Sequence, residues 1–146
     1  MSLQDTEKLK VKVTLQTTIQ NGKEKESYEL VTSGTVLIKK NDIYLQYTEE
    51  TEAGKTNTTI KYKNAEALLM RGGAVKMRQL FRPGGITRGH YESLYGTLPM
   101  VTKTKSIHHV FFDEQNEGEF TFHYELIMQE ESLGHYIMVI KYKEEE

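Results

Sequence analysis

All four Arg of this 146-residue chain, Arg71, Arg78, Arg82 and Arg88, lie within one short stretch, and six of its eleven Gly fall between Gly72 and Gly96. Arg presents a planar fork of donors that grips a carboxylate or phosphate with two hydrogen bonds, and Gly lets backbone amides approach an anion closely. The residues that could do chemistry therefore point first to anion recognition. Residues 67–91 hold these four Arg with Lys76 and no acid, whereas residues 92–146 hold four Lys against eleven acids. Alternation in the run Val75 to Arg82 puts Val75, Met77 and Phe81 on one face, so Lys76, Arg78 and Arg82 belong to the other, where they can equally serve as solvated wall charges. Gly72-Gly73 and Gly84-Gly85 read as hairpin turns and not as a phosphate cradle, since neither opens a helix.

Histidine offers fewer options. His108 ends an even-numbered row, Leu98, Met100, Thr102, Thr104, Ser106 and His108, whose alternates include Lys103 and Lys105. If that row faces inward, Thr102, Thr104, Ser106 and His108 form a polar stripe opposite Tyr124 and Leu126, able to hold water or orient a ligand. One strand register would place His109 beside His123 on an outer wall, two imidazoles that make at best a weak Zn or Ni site, so no metal is expected. His90, Tyr91 and Glu92 are adjacent, so alternate ones face opposite ways, and no Ser, Cys or paired carboxylate stands at a catalytic spacing. The chain has no Cys, which excludes disulfides, thiolate metal sites and Cys nucleophiles. Neither an enzyme nor a cofactor is expected.

Composition narrows the partners. A formal net charge of −2, few basic residues and Tyr and Phe mostly on apolar positions argue against nucleic acid. The longest unbroken apolar run, Tyr136 to Ile140, is too short to span a bilayer as a helix, and no basic-then-apolar leader is seen. A soluble cytoplasmic protein without a membrane partner is the expectation. Met1-Ser2-Leu3 has the look of an expression scar.

The elements that must position these residues are strands. Leu9, Val11, Val13, Leu15, Thr17 and Ile19 alternate with Lys8, Lys10, Lys12, Thr14 and Gln16, a period of two that marks a half-buried strand. Asn21-Gly22 follows, the dipeptide best suited to the two positive φ angles of a tight hairpin. The next strand runs from about Glu26 to Lys39 and is interrupted by Gly34, which suggests a bend or bulge. Ile43 to about Glu52, Thr56 to Lys63, Ala67 to Arg71, Val75 to Arg82, Ile86 to Tyr95, Leu98 to Phe112, Glu119 to Gln129 and His135 to Lys143 add eight more, ten segments in all. Only Glu66 to Met70 has any helical look. Short loops throughout favour simple up-and-down closure, so the fold class is all-β: one antiparallel barrel of about eight to ten strands over residues 4–146.

Ile43-Tyr44-Leu45-Gln46-Tyr47, Leu69-Met70-Arg71-Gly72-Gly73, Met77 with Phe81 and Gly84, and Tyr91, Tyr95-Gly96 and Thr104 resemble the YwiB-like family. These are small proteins of Bacillota described as lipocalin-like or calycin-like β-barrels, and the resemblance runs from about Leu9 to Tyr142. Where the family has Thr-Pro-Tyr-Gly, this chain has Ser93-Leu94-Tyr95-Gly96, without the rigid turn residue. The resemblance implies a barrel and no activity.

Together these features predict a barrel that binds a small amphipathic or anionic molecule at its mouth. Arg71, Arg78, Arg82, Arg88, Tyr91, Tyr95, Thr104, Ser106, His108 and Tyr124 are the candidate contacts. The alternative is a protein-interaction or self-assembly module, a homodimer included, in which the basic face meets an acidic one.

Overall fold

The computed structural model describes residues 8–52 and 54–145; the presumed scar, residues 1–3, lies outside them. Ten strands follow one another: β1 (Leu9–Asn21), β2 (Glu24–Lys39), β3 (Asp42–Thr51), β4 (Gly54–Lys63), β5 (Glu66–Gly73), β6 (Lys76–Phe81), β7 (Ile86–Ser93), β8 (Gly96–Phe112), β9 (Glu117–Met128) and β10 (Glu131–Glu144). A single 3-10 turn, Asp113–Gln115, is the only helical element among the described residues. The segment with a helical look is strand β5. Each strand pairs antiparallel with its successor, and β1 pairs with β10 from Val11↔Glu144 to Gln20↔His135, which closes the barrel. Closure removes the sheet edges that consecutive hairpins would otherwise expose. None of the described helices is long and apolar enough to cross a membrane.

Up-and-down order puts the β1–β2, β3–β4, β5–β6, β7–β8 and β9–β10 turns at one end, here the Asn21 end, and the other four at the Lys40 end. Gly22 takes a φ of 65° in the first turn. A Cβ there would meet nothing within 4 Å. Gly22→Ala should therefore cost about 1 kcal/mol from backbone conformation alone. Urea unfolding measures it, and a neutral result would show that the turn tolerates another geometry.

Gly34 corrects one expectation. The ladder runs unbroken through it, Val11↔Gly34 on one side and Gly34↔Tyr47 on the other, so it is not a bulge. It allows close approach instead: a Cβ would fall 2.2 Å from the Gln46 carbonyl oxygen. At Gly34 the pairing of β2 changes: it pairs with β3 only over Gly34–Lys39, while its first ten residues pair with β1 alone.

The two halves of the interior differ. Towards the Lys40 end, Ile38, Ile43, Phe81, Phe120, Phe122 and Tyr142 are almost wholly excluded from solvent. Phe81 meets Phe122, and Phe120 meets Tyr142, at tilted angles, Phe120 and Phe122 stack, and half-buried Tyr62 meets Phe120 edge-on at 75° with centroids 5.4 Å apart, arrangements that aromatic quadrupoles favour. This half is a conventional apolar core. The Asn21 half carries hydroxyls, phenols and one guanidinium on the same inward parity.

Candidate functional site in the polar half of the barrel

Arg71 is placed by β5, where Ala67 and Leu69 are buried on the same face. Its cross-strand neighbours are Thr58 on β4 and Met77 on β6; Thr58 lies opposite Tyr47, and Met77 opposite Tyr91. Tyr47, Thr58, Arg71, Met77 and Tyr91 thus form a continuous inward belt across five strands. Strand alternation produces it, because residues that pair in a ladder share a face.

The belt is polar and incompletely paired. Tyr47 Oη, Thr56 Oγ1, Thr58 Oγ1, Arg71 Nε and Thr104 Oγ1 are all buried and make no well-aligned hydrogen bond, although Arg71 and Thr58 both stand close enough to the Tyr47 phenol to oppose the rise of its pKa as hydrogen-bonding neighbours. Buried polar atoms are nearly always satisfied, and leaving one without a partner costs about 1 to 3 kcal/mol. Burial raises the Tyr47 phenol above its ordinary pKa, although the nearby Arg71 charge opposes that shift. Burial likewise raises Tyr124, again against the field of Arg71. Three strands separated in sequence therefore aim Tyr47, Tyr124 and Arg71 into one region. Tyr136 stacks on Tyr124 with ring centroids 4.9 Å apart and planes 18° from parallel. Not every hydroxyl here is unpaired: Gln79 Nε2 donates to Thr102 Oγ1 at 3.0 Å.

The candidate contacts separate into two groups. Arg71, Tyr91, Thr104 and Tyr124 lie on the inward face, with Thr104 opposite Tyr124 and Thr102 opposite Leu126 in the β8–β9 ladder. Arg78, Arg82 and Arg88 are exposed on the outer wall, so they do not line the mouth. Arg78 reaches the Met70 sulfur at 3.9 Å, and Arg82 Nε donates to Glu66 Oε1 at 2.7 Å. That ion pair is solvated on both sides, so Arg82→Ala should lower stability by less than about 1 kcal/mol; a larger loss on thermal unfolding would contradict a purely surface role. Tyr95 is 98% exposed at the tip of the β7–β8 hairpin, clear of the lumen.

Ser106 and His108 are corrected by a β-bulge. The β8–β9 register shifts between Thr104 and Ser106, so Lys105 is an extra residue and the inward face passes from even to odd positions. Ile107, His109 and Phe111 face inward beyond it, while Ser106 stands opposite His123 and His108 is exposed on the outer wall. A slip of one residue exchanges every side chain between faces. His109 is the ring that enters the interior, at the Lys40 end. Its Nε2 lies 2.7 Å from Tyr142 Oη, and its centroid is 4.4 Å from that of Phe120. Burial pushes its pKa down to about 4. His109 lies opposite Phe120, so the considered pairing of His109 with His123 does not form. Among the described residues no three His, Cys, Asp or Glu gather closely enough to hold a metal ion.

Tyr47, Thr56, Thr58, Tyr136 and His109 belong to this description although none of them is among the candidate contacts read from the sequence. Thr56 and Thr58 share parity with Ile60 and Tyr62, so their inward direction was there to be read. Two broad concavities touch residues of this region. One of about 540 Å³ along β8, β9 and β10 is lined by Thr104, Tyr124 and Tyr136 together with Ile86, Lys103 and His123, and one of about 410 Å³ by Tyr47 and Thr58. Arg71 lines none of those described.

Comparison with known proteins then decides the family. The model of a domain of unknown function, DUF1934, matches residues 13–140. The chain belongs to the DUF1934 family. A curated relative of this DUF1934 protein, the uncharacterized β-barrel protein YwiB of Bacillus subtilis (strain 168), is 35% identical over 125 residues, covering 86% of this chain and 87% of the relative. The crystal structure of the ywiB protein from Bacillus subtilis superposes with a TM-score of 0.84 at 32% identity, over 97% of this chain and 96% of that one. The DUF1934 barrel described above is thus the architecture of a crystallographically determined relative.

Proposed function

We propose that this protein binds a small monoanionic amphipathic molecule in the polar half of its barrel, with the acid group on Arg71 and the apolar part among Met77, Met100 and Leu126. One observation carries the reading: Arg71 Nε is buried without a partner, and the two hydroxyls beside it, Tyr47 Oη and Thr58 Oγ1, make no well-aligned hydrogen bond beyond their loose contacts with each other and with the guanidinium. A carboxylate is acceptor-only, with four lone-pair sites, so one group can satisfy the guanidinium and a hydroxyl at once. A single inward Arg suits one negative charge, and Glu49, half-buried on the same inward parity of β3, disfavours a second. Apolar inward neighbours near the Asn21 end give the ligand's body somewhere to lie, the usual division of labour in small-molecule sites. No reaction is proposed, because the imidazole inside the barrel, that of His109, sits in the opposite half.

Calorimetric titration with straight-chain monocarboxylates and their matching primary alcohols tests this. Acids should bind at least about tenfold more tightly than alcohols of equal length, the value of one charge-assisted hydrogen-bond pair. Equal affinity for both, or none for either, would overturn the proposal.

A further inference from the structure

The first ten residues of β2, Glu24–Ser33, pair with β1 on one side only, because β3 joins β2 no earlier than Gly34. Thr32 Oγ1 donates to the Thr48 carbonyl at 2.7 Å, which marks where β3 begins to cover that edge. Before it lies a run of backbone with a free side, containing no Pro and carrying Tyr28 and Val31 at 55% and 56% exposure. Long free edges usually carry charges that repel another strand. The charges on this one are arranged to accept a particular strand, its own copy.

We infer that the Glu24–Ser33 edge of β2 pairs antiparallel with the same edge of a second copy of this chain, about a twofold axis at Ser27. An isologous pair must place residues of equal parity opposite one another, so only a few registers exist. Centred on Ser27, Lys25 faces Glu29 of the second copy, and by symmetry the contact occurs twice. Glu26 faces the other Tyr28, the side chain whose hydroxyl already donates to Glu26 within the chain at 2.6 Å. Glu24 faces Leu30 of the second copy, and the Lys23 turn lies just beyond the paired strand. No like charges stand opposite. Moving the axis to Glu26 or Glu29 sets a glutamate against itself, and moving it to Lys25 sets two lysines together; cross-strand charge pairs are among the terms that decide register. The pairing ends at Leu30, short of the Thr32–Thr48 bond. This surface is separate from the basic outer wall of β6 and β7, and its formation does not depend on Arg71.

Sedimentation measurements on the full chain from micromolar to millimolar concentration test it. Wild type should form dimers, and Glu29→Lys should weaken dimerisation at least about tenfold, because two attractive pairs become repulsive. The double exchange Lys25→Glu with Glu29→Lys restores both pairs, and its dimer affinity should return to within about threefold of wild type. These side chains are exposed, so the variants keep the fold, which circular dichroism verifies. A wild-type monomer at every concentration would overturn the inference. So would a dimer indifferent to Glu29→Lys, or a Glu29→Lys defect that the exchange does not repair.

Discussion

On acidification from about pH 6.5 to about pH 4 the barrel should lose up to about 3 kcal/mol of stability through His109 alone, one pKa unit being worth about 1.4 kcal/mol. In the folded chain burial holds the ring at a pKa of about 4, against 6.5 for an ordinary His. Between those values the unfolded chain binds a proton that the folded one refuses, so unfolding gains as pH falls; above about 6.5 both forms are neutral and the effect vanishes. Water still reaches part of the ring, which makes the figure a ceiling. Carboxylates contribute to acid unfolding as well, so the informative quantity is a difference. His109→Gln retains a hydrogen-bonding group towards Tyr142 and removes the titration. In urea unfolding the stability gap between wild type and this variant should shrink, or reverse in the variant's favour, by about 2 to 3 kcal/mol between pH about 7 and about 4.5. Parallel curves would mean that the ring is charged or solvated in the native state.

The same ring shows how far sequence reasoning reaches in this chain. Alternation in β1, the Asn21-Gly22 turn and uniformly short loops suffice for an up-and-down barrel, because period two fixes which face is buried and short turns fix the neighbour. The bulge at Lys105 has no such marker. Neither Gly nor Pro accompanies it, and Thr104-Lys105-Ser106 reads as an ordinary strand. The trace lies in a change of parity within one run: Leu98 and Met100 are apolar on even positions, Ile107 and Phe111 on odd ones. A single extra residue between them reconciles both sets, and with it His108 moves out and His109 in. The Arg cluster divides in a similar way. Arg71 follows Ala67 and Leu69 on the buried parity of β5, while Arg78 and Arg82 fall on the polar parity of their own segment. Proximity in sequence drew four Arg together that the wall separates, since adjacent strands present alternate residues to opposite sides. What sequence could not supply is which inward polar groups find partners. Gln79 donates a well-formed bond to Thr102, whereas Arg71 Nε has no such partner, and that depends on distances between strands far apart in the chain.

Arg71→Met should raise stability while weakening the binding of a monocarboxylate. A half-buried guanidinium whose Nε has no partner is desolvated without full compensation, and Met fills similar volume with no polar atom to satisfy. The expected gain is about 1 kcal/mol, or a rise in Tm of about 2 to 5 °C for a domain of this size. A gain in stability alone would say little, since natural chains commonly leave stabilising replacements unused; it is the accompanying loss of binding that marks a group retained at the expense of folding. Affinity for the acid should fall about 10- to 100-fold, the loss of one charge-assisted pair, with affinity for the matching alcohol unchanged. Arg71→Lys provides the intermediate case: it keeps the charge but not the planar fork, so it should recover part of the affinity. Should Arg71→Met instead lower Tm by several degrees and leave acid binding intact, the guanidinium would be a prop for the Tyr47 and Tyr124 phenols. The orphaned hydroxyls around it would then be the ordinary lining of a wet barrel end.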